Sequence, residues 1–221
     1  LEYTNKETGE VSKGYREDGY FSDAFVNMLA FLGWNPGTEQ ELFSLDELVA
    51  AFDISKVGKS GAKFDAEKTK WFQHQYFIQK EDSAIAQLFV PVLNQHLGNN
   101  LDKGPDLDYI TKVVGLIKER GTFVDDLWDL GSFFFVAPEA YEEKAVKKNW
   151  KEGTADLMLE LSQMIEQIAD FSSQNIENAI KEWITSKEIG FGKVMQPLRL
   201  SLVGALKGPH LSDIAFLIGR D

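Results

Sequence analysis

Apolar residues recur at helical spacing along almost the whole chain, and turn residues divide them into separate segments. Phe25, Val26, Leu29, Ala30 and Leu32 predict a first helix, which Ser22 or Asp23 can cap and which Gly33 and the Asn35-Pro36-Gly37 turn end. Ser44, with Glu47 three residues on, has the form of a capping box for a helix from Leu45 to Phe52. Asp65 can cap the next, which carries Trp71, Phe72, Tyr76 and Phe77. From Asp82 to Leu97 the face is Ile85, Leu88, Phe89, Val92 and Leu93, with Pro91 either kinking the run or beginning its second half. A loop through Asn99, Asn100 and Lys103-Gly104-Pro105 follows. Asp108 or Thr111 then leads into Ile110, Val113, Val114, Leu116 and Ile117, a helix ending in Lys118-Glu119-Arg120 with Gly121 as its C′ residue.

The second half continues in the same manner. Phe133 to Val136, before Pro138, reads as a buried connector. Thr154 starts a helix with Leu157, Leu161, Ile165 and Ile168 on one face, and Ser173 or Asn175 starts another bearing Ile176, Ile180 and Trp183. Pro197 fits the first turn of a helix, where a missing N–H costs nothing, so Arg199 is expected to open a run containing Leu198, Leu202, Val203 and Leu206. Lys207-Gly208-Pro209-His210 breaks it, and Leu211, Ile214, Ala215, Leu217 and Ile218 form a last short helix ended by Gly219. The predicted fold is all-α.

Composition narrows the function classes. At 221 residues and 43% hydrophobic content the chain has the material for one large core or two smaller ones. It has no cysteine, which excludes disulfides and thiolate-ligated metals and suits a reducing cytoplasm. No apolar run approaches the roughly 18 residues of a membrane helix. Leu1 is not Met and the first residues are polar, so a piece of a longer protein is expected. The net charge of −12 argues against a nucleic-acid partner until its distribution is read. Eight acids and no Lys or Arg lie between Glu17 and Asp53, whereas Lys56, Lys59, Lys63, Lys68 and Lys70 outnumber the two acids among them. From Lys187 to Pro209 four basic residues face only Glu188. Screening over about 8 Å lets such patches act separately from distant acids.

The loop from Ser55 to Lys63 sets Lys56, Lys59 and Lys63 among glycines and serines, a composition that can follow a phosphate backbone or simply be solvated. It lacks the spacing of a nucleotide-binding P-loop. His74, His96 and His210 are isolated in sequence, and Asp125, Asp126 and Asp129 lack calcium-loop spacing, so no metal site is expected. No Ser-His-Asp or Cys-His arrangement is supported, and no catalytic residue is assigned. Arg120 at a helix end is at least a partner of the helix dipole.

Gly192 to Gly219 follows the pattern GxxxQPLRxxLxGxxxGPxLxxIxxLxG, which resembles the C-terminal end of bacterial-type glutamyl-tRNA synthetases of class I. Gly14 to Gly37 and Phe43 to Asp65 are similar to the segment after the KMSKS-type loop of the same enzymes. The resemblance implies a stem-contact region over about residues 1–80 and a helical anticodon-binding region over 81–221, in sub-bundles of about 81–135 and 136–221. It implies that Lys56, Lys59 and Lys63 contact the tRNA stem. It also implies that Arg120 meets the last anticodon base, with Arg199, Lys181, Gly208, Pro209 and Leu211 enclosing the others; the family usually has Arg where this chain has Lys181. HIGH-type and KMSKS-type segments do not occur in these 221 residues, so ATP and L-glutamate are expected to belong to the full-length enzyme, a cytoplasmic monomer acting on tRNA-Glu. The competing expectation from composition is an acidic helical protein-interaction domain.

Overall fold

The computed structural model describes residues 3–4, 11–59, 61–98 and 105–220. The predicted loop residues Asn99, Asn100, Lys103 and Gly104, and Ser60 of the lysine loop, lie outside the described residues. The chain divides into two compact units, Leu1–Trp128 and Asp129–Asp221.

In the first unit, β1 (Tyr3–Thr4) and β2 (Val11–Ser12) pair antiparallel, with Tyr3 opposite Ser12 and Thr4 opposite Val11. Helices α1 (Ser22–Ala30), α2 (Leu45–Ala51), α3 (Ala66–Gln79), α4 (Asp82–Leu97) and α5 (Leu107–Ile117) follow. Apart from β1 and β2, every regular element described in either unit is helical, as the periodicity predicts. The caps at two starts are as expected. Ser44 accepts from the Glu47 N–H while the Glu47 carboxylate accepts from the Ser44 N–H, and Asp65 accepts from the N–H groups of Glu67 and Lys68. Asp106, rather than Asp108 or Thr111, caps α5 by accepting from the Tyr109 N–H. Ser22 and Asp23 lie inside α1, whose N-cap is Phe21 and makes no side-chain cap.

Helix α1 packs on α3, and α4 on α5. Phe72, Phe77, Phe89, Leu93, Val113, Val114 and Ile117 are fully buried, each large side chain contributing about 1.5–3 kcal/mol. The inward face of α1 differs from the expected one. Ala24, Asn27 and Met28 are buried, while Val26 and Leu29 are 40% and 45% exposed. The cause is polar: Asn27 Oδ1 accepts from the Phe43 N–H at 2.8 Å and the Tyr76 hydroxyl at 2.6 Å, so Asn27 must face inward. In α4, similarly, Ala86 is buried where Leu88 was expected, and Pro91 sits inside one continuous helix.

Helix α6 (Asp126–Gly131) straddles the boundary between the units. The second unit holds α7 (Glu143–Asn149), α8 (Thr154–Glu166), α9 (Ser173–Ser186), α10 (Phe191–Val203) and α11 (Leu211–Ile218). Leu161, Ile176, Ile180, Ile184, Val194 and Ala215 form its core, with Leu157, Ile165, Ile168, Trp183, Leu198 and Leu202 packed partly against it. Phe133 and Phe134 are buried as a connector should be, but Val136 is 41% exposed.

Helix α10 starts well before its proline. It begins at Phe191, six residues before Pro197, so Pro197 is interior and Arg199 does not open the helix. A proline there leaves the Lys193 carbonyl without its helical donor. Burial of Val194 in the unit's core, with Pro197 and Leu200 also buried, offsets that loss. Gly204, in the left-handed region at φ +77°, ends α10, and Gly219 ends α11.

Candidate nucleic-acid interface

Arg120 stands where α5 tightens into a single 3-10 turn, Lys118–Arg120. Its side chain is exposed, and Nη1 donates to the Leu116 carbonyl at 3.3 Å, a long bond that uses one of its five N–H donors. Gly121 follows in extended geometry, φ −95°, so it does not supply the left-handed cap that its sequence position suggests.

The backbone around Arg120 is held from several directions. Lys118 Nζ pairs with Asp82 at 2.6 Å and donates to the Lys80 carbonyl at 2.7 Å. His74 Nδ1 lies 2.7 Å from the Gly121 carbonyl oxygen. Gln73, fully buried, donates to the Thr122 carbonyl at 3.1 Å and accepts from the Phe21 N–H at 2.8 Å. Asp126 accepts from the N–H groups of Thr122 and Phe123 at 2.8 and 2.9 Å. One of the three clustered aspartates is therefore a cap. Sequence reasoning missed Gln73; its only signal was a polar run, Gln73-His74-Gln75, interrupting the aromatic face of α3.

The lysine loop is pinned at its base. Val57 bridges Trp34, the Gly58 N–H donates to the Gly33 carbonyl at 2.7 Å, and Lys56 Nζ donates to the Pro36 carbonyl at 2.7 Å. Lys56 thus closes the loop, while Lys59 and Lys63 project from it as exposed cations.

In the second unit the structure brings Arg199, Lys181 and the loop from Gly208 to Leu211 together through two bridges. Arg199 Nη1 donates to the Pro209 carbonyl at 2.9 Å. Gly208, at φ +128°, lies beneath that guanidinium: a Cβ there would sit 3.4 Å from Nη1. Lys181 pairs with Glu177, and His210 Nε2 lies 4.0 Å from the same carboxylate. The hydrogen bond from Lys181 holds the Glu177 carboxyl below the usual glutamate range. Ser212 Oγ joins His210 Nδ1 at 2.8 Å and Ser173 Oγ at 2.9 Å.

Glu177, Ile180, Lys181, Phe191, Met195, His210 and Ser212 line a cavity of about 200 Å³ here. An apolar floor with a carboxylate, an ammonium and an imidazole at the rim can take a planar ring carrying both donors and acceptors. Pro209 and Leu211 are buried, so they shape this wall and present backbone rather than side chain. Arg120 belongs to the first unit and these residues to the second. Among the described residues no group of three or more His, Cys, Asp or Glu could hold a metal ion, and no helix is long and apolar enough to cross a membrane.

Comparison with known proteins gives a consistent result. A family model described as an anticodon binding domain matches residues 84–221, and one described as tRNA synthetases class I (E and Q), catalytic domain, matches residues 5–71. The glutamate–tRNA ligase of Flavobacterium psychrophilum is 55% identical over 212 residues, covering 95% of this chain and 41% of the relative. That of Christiangramia forsetii is 51% identical over 221 residues, covering 100% of this chain and 43% of the relative. A crystal structure of a glutamate tRNA ligase from Elizabethkingia meningosepticum in complex with its amino acid superposes with a TM-score of 0.89 at 46% identity, over 100% of this chain and 43% of that one. The chain spans less than half the length of these relatives.

Proposed function

We propose that this chain, which belongs to the anticodon binding domain family, is the tRNA-binding portion of a glutamate–tRNA ligase and engages the anticodon and inner stem of tRNA-Glu. The observation that carries the reading is the family match over the helices that bear Arg120, Lys181 and Arg199. Residues 1–80 take the stem-contact role, with Lys59 and Lys63 on the phosphate backbone and Lys56 holding their loop in shape. Residues 81–221 take the anticodon role. Arg120 meets the last base, and the wall formed by Lys181, Arg199, Gly208, Pro209 and Leu211 encloses the others. The whole enzyme joins L-glutamate to tRNA-Glu using ATP, as a monomer in the cytoplasm.

Filter binding of tRNA-Glu over a salt series tests the reading, because phosphate contacts require affinity to fall as salt rises. One observation favours the competing protein-interaction reading: Leu45, Val49 and Ile54 are 64%, 73% and 80% exposed beside the acids of α2. A flat salt response, or equal binding to unrelated duplex DNA, decides for that alternative. Lys59→Ala with Lys63→Ala is expected to weaken binding equally for every anticodon variant, since lysines on phosphates position without specifying. A change in anticodon preference removes the phosphate role from these two residues. The chain alone is expected to give no ATP–pyrophosphate exchange with glutamate; exchange above blank would show an ATP site within these 221 residues.

A further inference from the structure

A cavity of about 790 Å³ lies between the end of α7 and the start of α10 and shares no lining residue with the 200 Å³ cavity beside Lys181; Lys148, Lys151, Lys193 and Gln196 are among its lining residues. Among the described residues no carboxylate lines it, in a chain with net charge −12. Elsewhere in this unit Lys181 and Lys187 sit on Glu177 and Glu160, and Lys147 lies 3.5 Å from Glu143. Lys148 and Lys193 make no ion pair among the described residues, and Lys151 donates to the Lys147 carbonyl. Gly190 and Gly192, also in the lining, have nothing within 4 Å of a built Cβ, so a bulky group can reach the backbone there.

The position of Lys193 separates a binding role from a structural one. Lys148 at the C-terminal end of α7 favours its own helix dipole, which explains it without any ligand. Lys193 is in the first turn of α10, which contains no acid, so its charge opposes the positive end of that dipole. The helix gains nothing from this cation. Together with Lys148 and Lys151 it concentrates positive potential on one concave surface, which suits a ligand with several closely spaced negative charges.

We propose that this α7–α10 cavity is a second phosphate site, holding the sugar–phosphate backbone of the tRNA beside the anticodon; the assignment rests on the tRNA-binding reading above. Lysines supply point charges, so the site adds affinity and salt dependence without base preference.

The test is fluorescence anisotropy with a labelled tRNA-Glu transcript over a salt series, using the 221-residue chain. Lys148→Gln with Lys193→Gln is expected to lower the slope of log K against log salt by about 1.5, the loss of two phosphate contacts. The preference between anticodon variants stays fixed. Lys148→Arg with Lys193→Arg restores the slope. Lys112→Gln, removing a cation paired to an acid on its own helix, leaves it unchanged. Lys148 and Lys193 are both exposed, and far-UV circular dichroism verifies that the variants keep their fold. A Gln double variant that follows the wild-type line overturns the site while leaving the tRNA-binding reading intact. A wild type without salt-dependent binding sinks that reading, and the site falls with it. Competition by polyglutamate as strong as by RNA at equal charge assigns the cavity to an acidic peptide and overturns the RNA contact.

Discussion

Gly204→Ala is expected to destabilise the unit from Asp129 to Asp221 by about 2–5 kcal/mol, through two additive causes. The residue ends α10 at φ +77°, a conformation that costs an L side chain about 1–2 kcal/mol. An added Cβ would also lie 2.6 Å from the Ala140 carbonyl oxygen and 3.1 Å from Pro138 Cβ. The 2.6 Å neighbour is backbone, and it cannot simply swing aside, because the Glu142 N–H donates to the Gly204 carbonyl at 2.8 Å and ties the two segments together. Relieving the overlap therefore means moving the entry to α7 or the end of the helix that carries Arg199. Such overpacking costs about 1–3 kcal/mol.

Gly153 provides the control. It has nearly the same conformation, φ +78° and ψ −5°, and nothing within 4 Å of a built Cβ, so Gly153→Ala carries the backbone cost alone. Urea unfolding, with hydrogen exchange of the α7 and α10 amides to localise the effect, measures both variants. Equal losses in the two would show that the approach of Ala140 to Gly204 is not tight. A large excess at Gly204 should also weaken anticodon binding, since α10 and the loop from Lys207 to His210 are displaced with it.

Arg120→Gln is expected to relax discrimination between CUC and CUG anticodons by about 1–3 kcal/mol with little change in stability. Unstacked anticodon bases are read at their Watson–Crick edges, and cytosine offers acceptors at O2 and N3 there. A planar guanidinium with paired donors matches that edge, and the shorter Gln amide at the same backbone position does not. Among the described residues the side chain makes one intramolecular hydrogen bond, to the Leu116 carbonyl, and that bond is exposed and 3.3 Å long. The turn itself is held by Lys118, His74, Gln73 and Asp126, all untouched by the change. Competition binding of the two tRNA variants reads the ratio. Uniformly weaker binding to both would make Arg120 a phosphate contact, and a large drop in melting temperature would make it structural.

What the sequence determined by itself is the part of the structure in which cause and effect are a few residues apart. Ser44 and Glu47 cap α2 across three residues, Asp65 caps α3 within the same reach, and Gly219 ends α11 at its own φ of +89°. The helical periods of α5, α8 and α9 were legible because their apolar stripes are regular enough to set the buried face. The resemblance over Gly192 to Gly219 singled out Arg199, Gly208, Pro209 and Leu211 for attention, but not their geometry.

Tertiary structure decided what depends on distant partners. Asn27 turns α1 because Phe43 and Tyr76, 16 and 49 residues away, need its oxygen. Lys56 leaves the row of free loop lysines because the Pro36 carbonyl, 20 residues earlier, takes its ammonium. Helix α10 extends six residues before a proline that resembles a helix start, because burying Val194 among Ile180, Ile184 and Leu161 outweighs one missing hydrogen bond. Arg199 consequently sits inside a helix and reaches Pro209 across a loop, a contact ten residues long in sequence that no local pattern encodes.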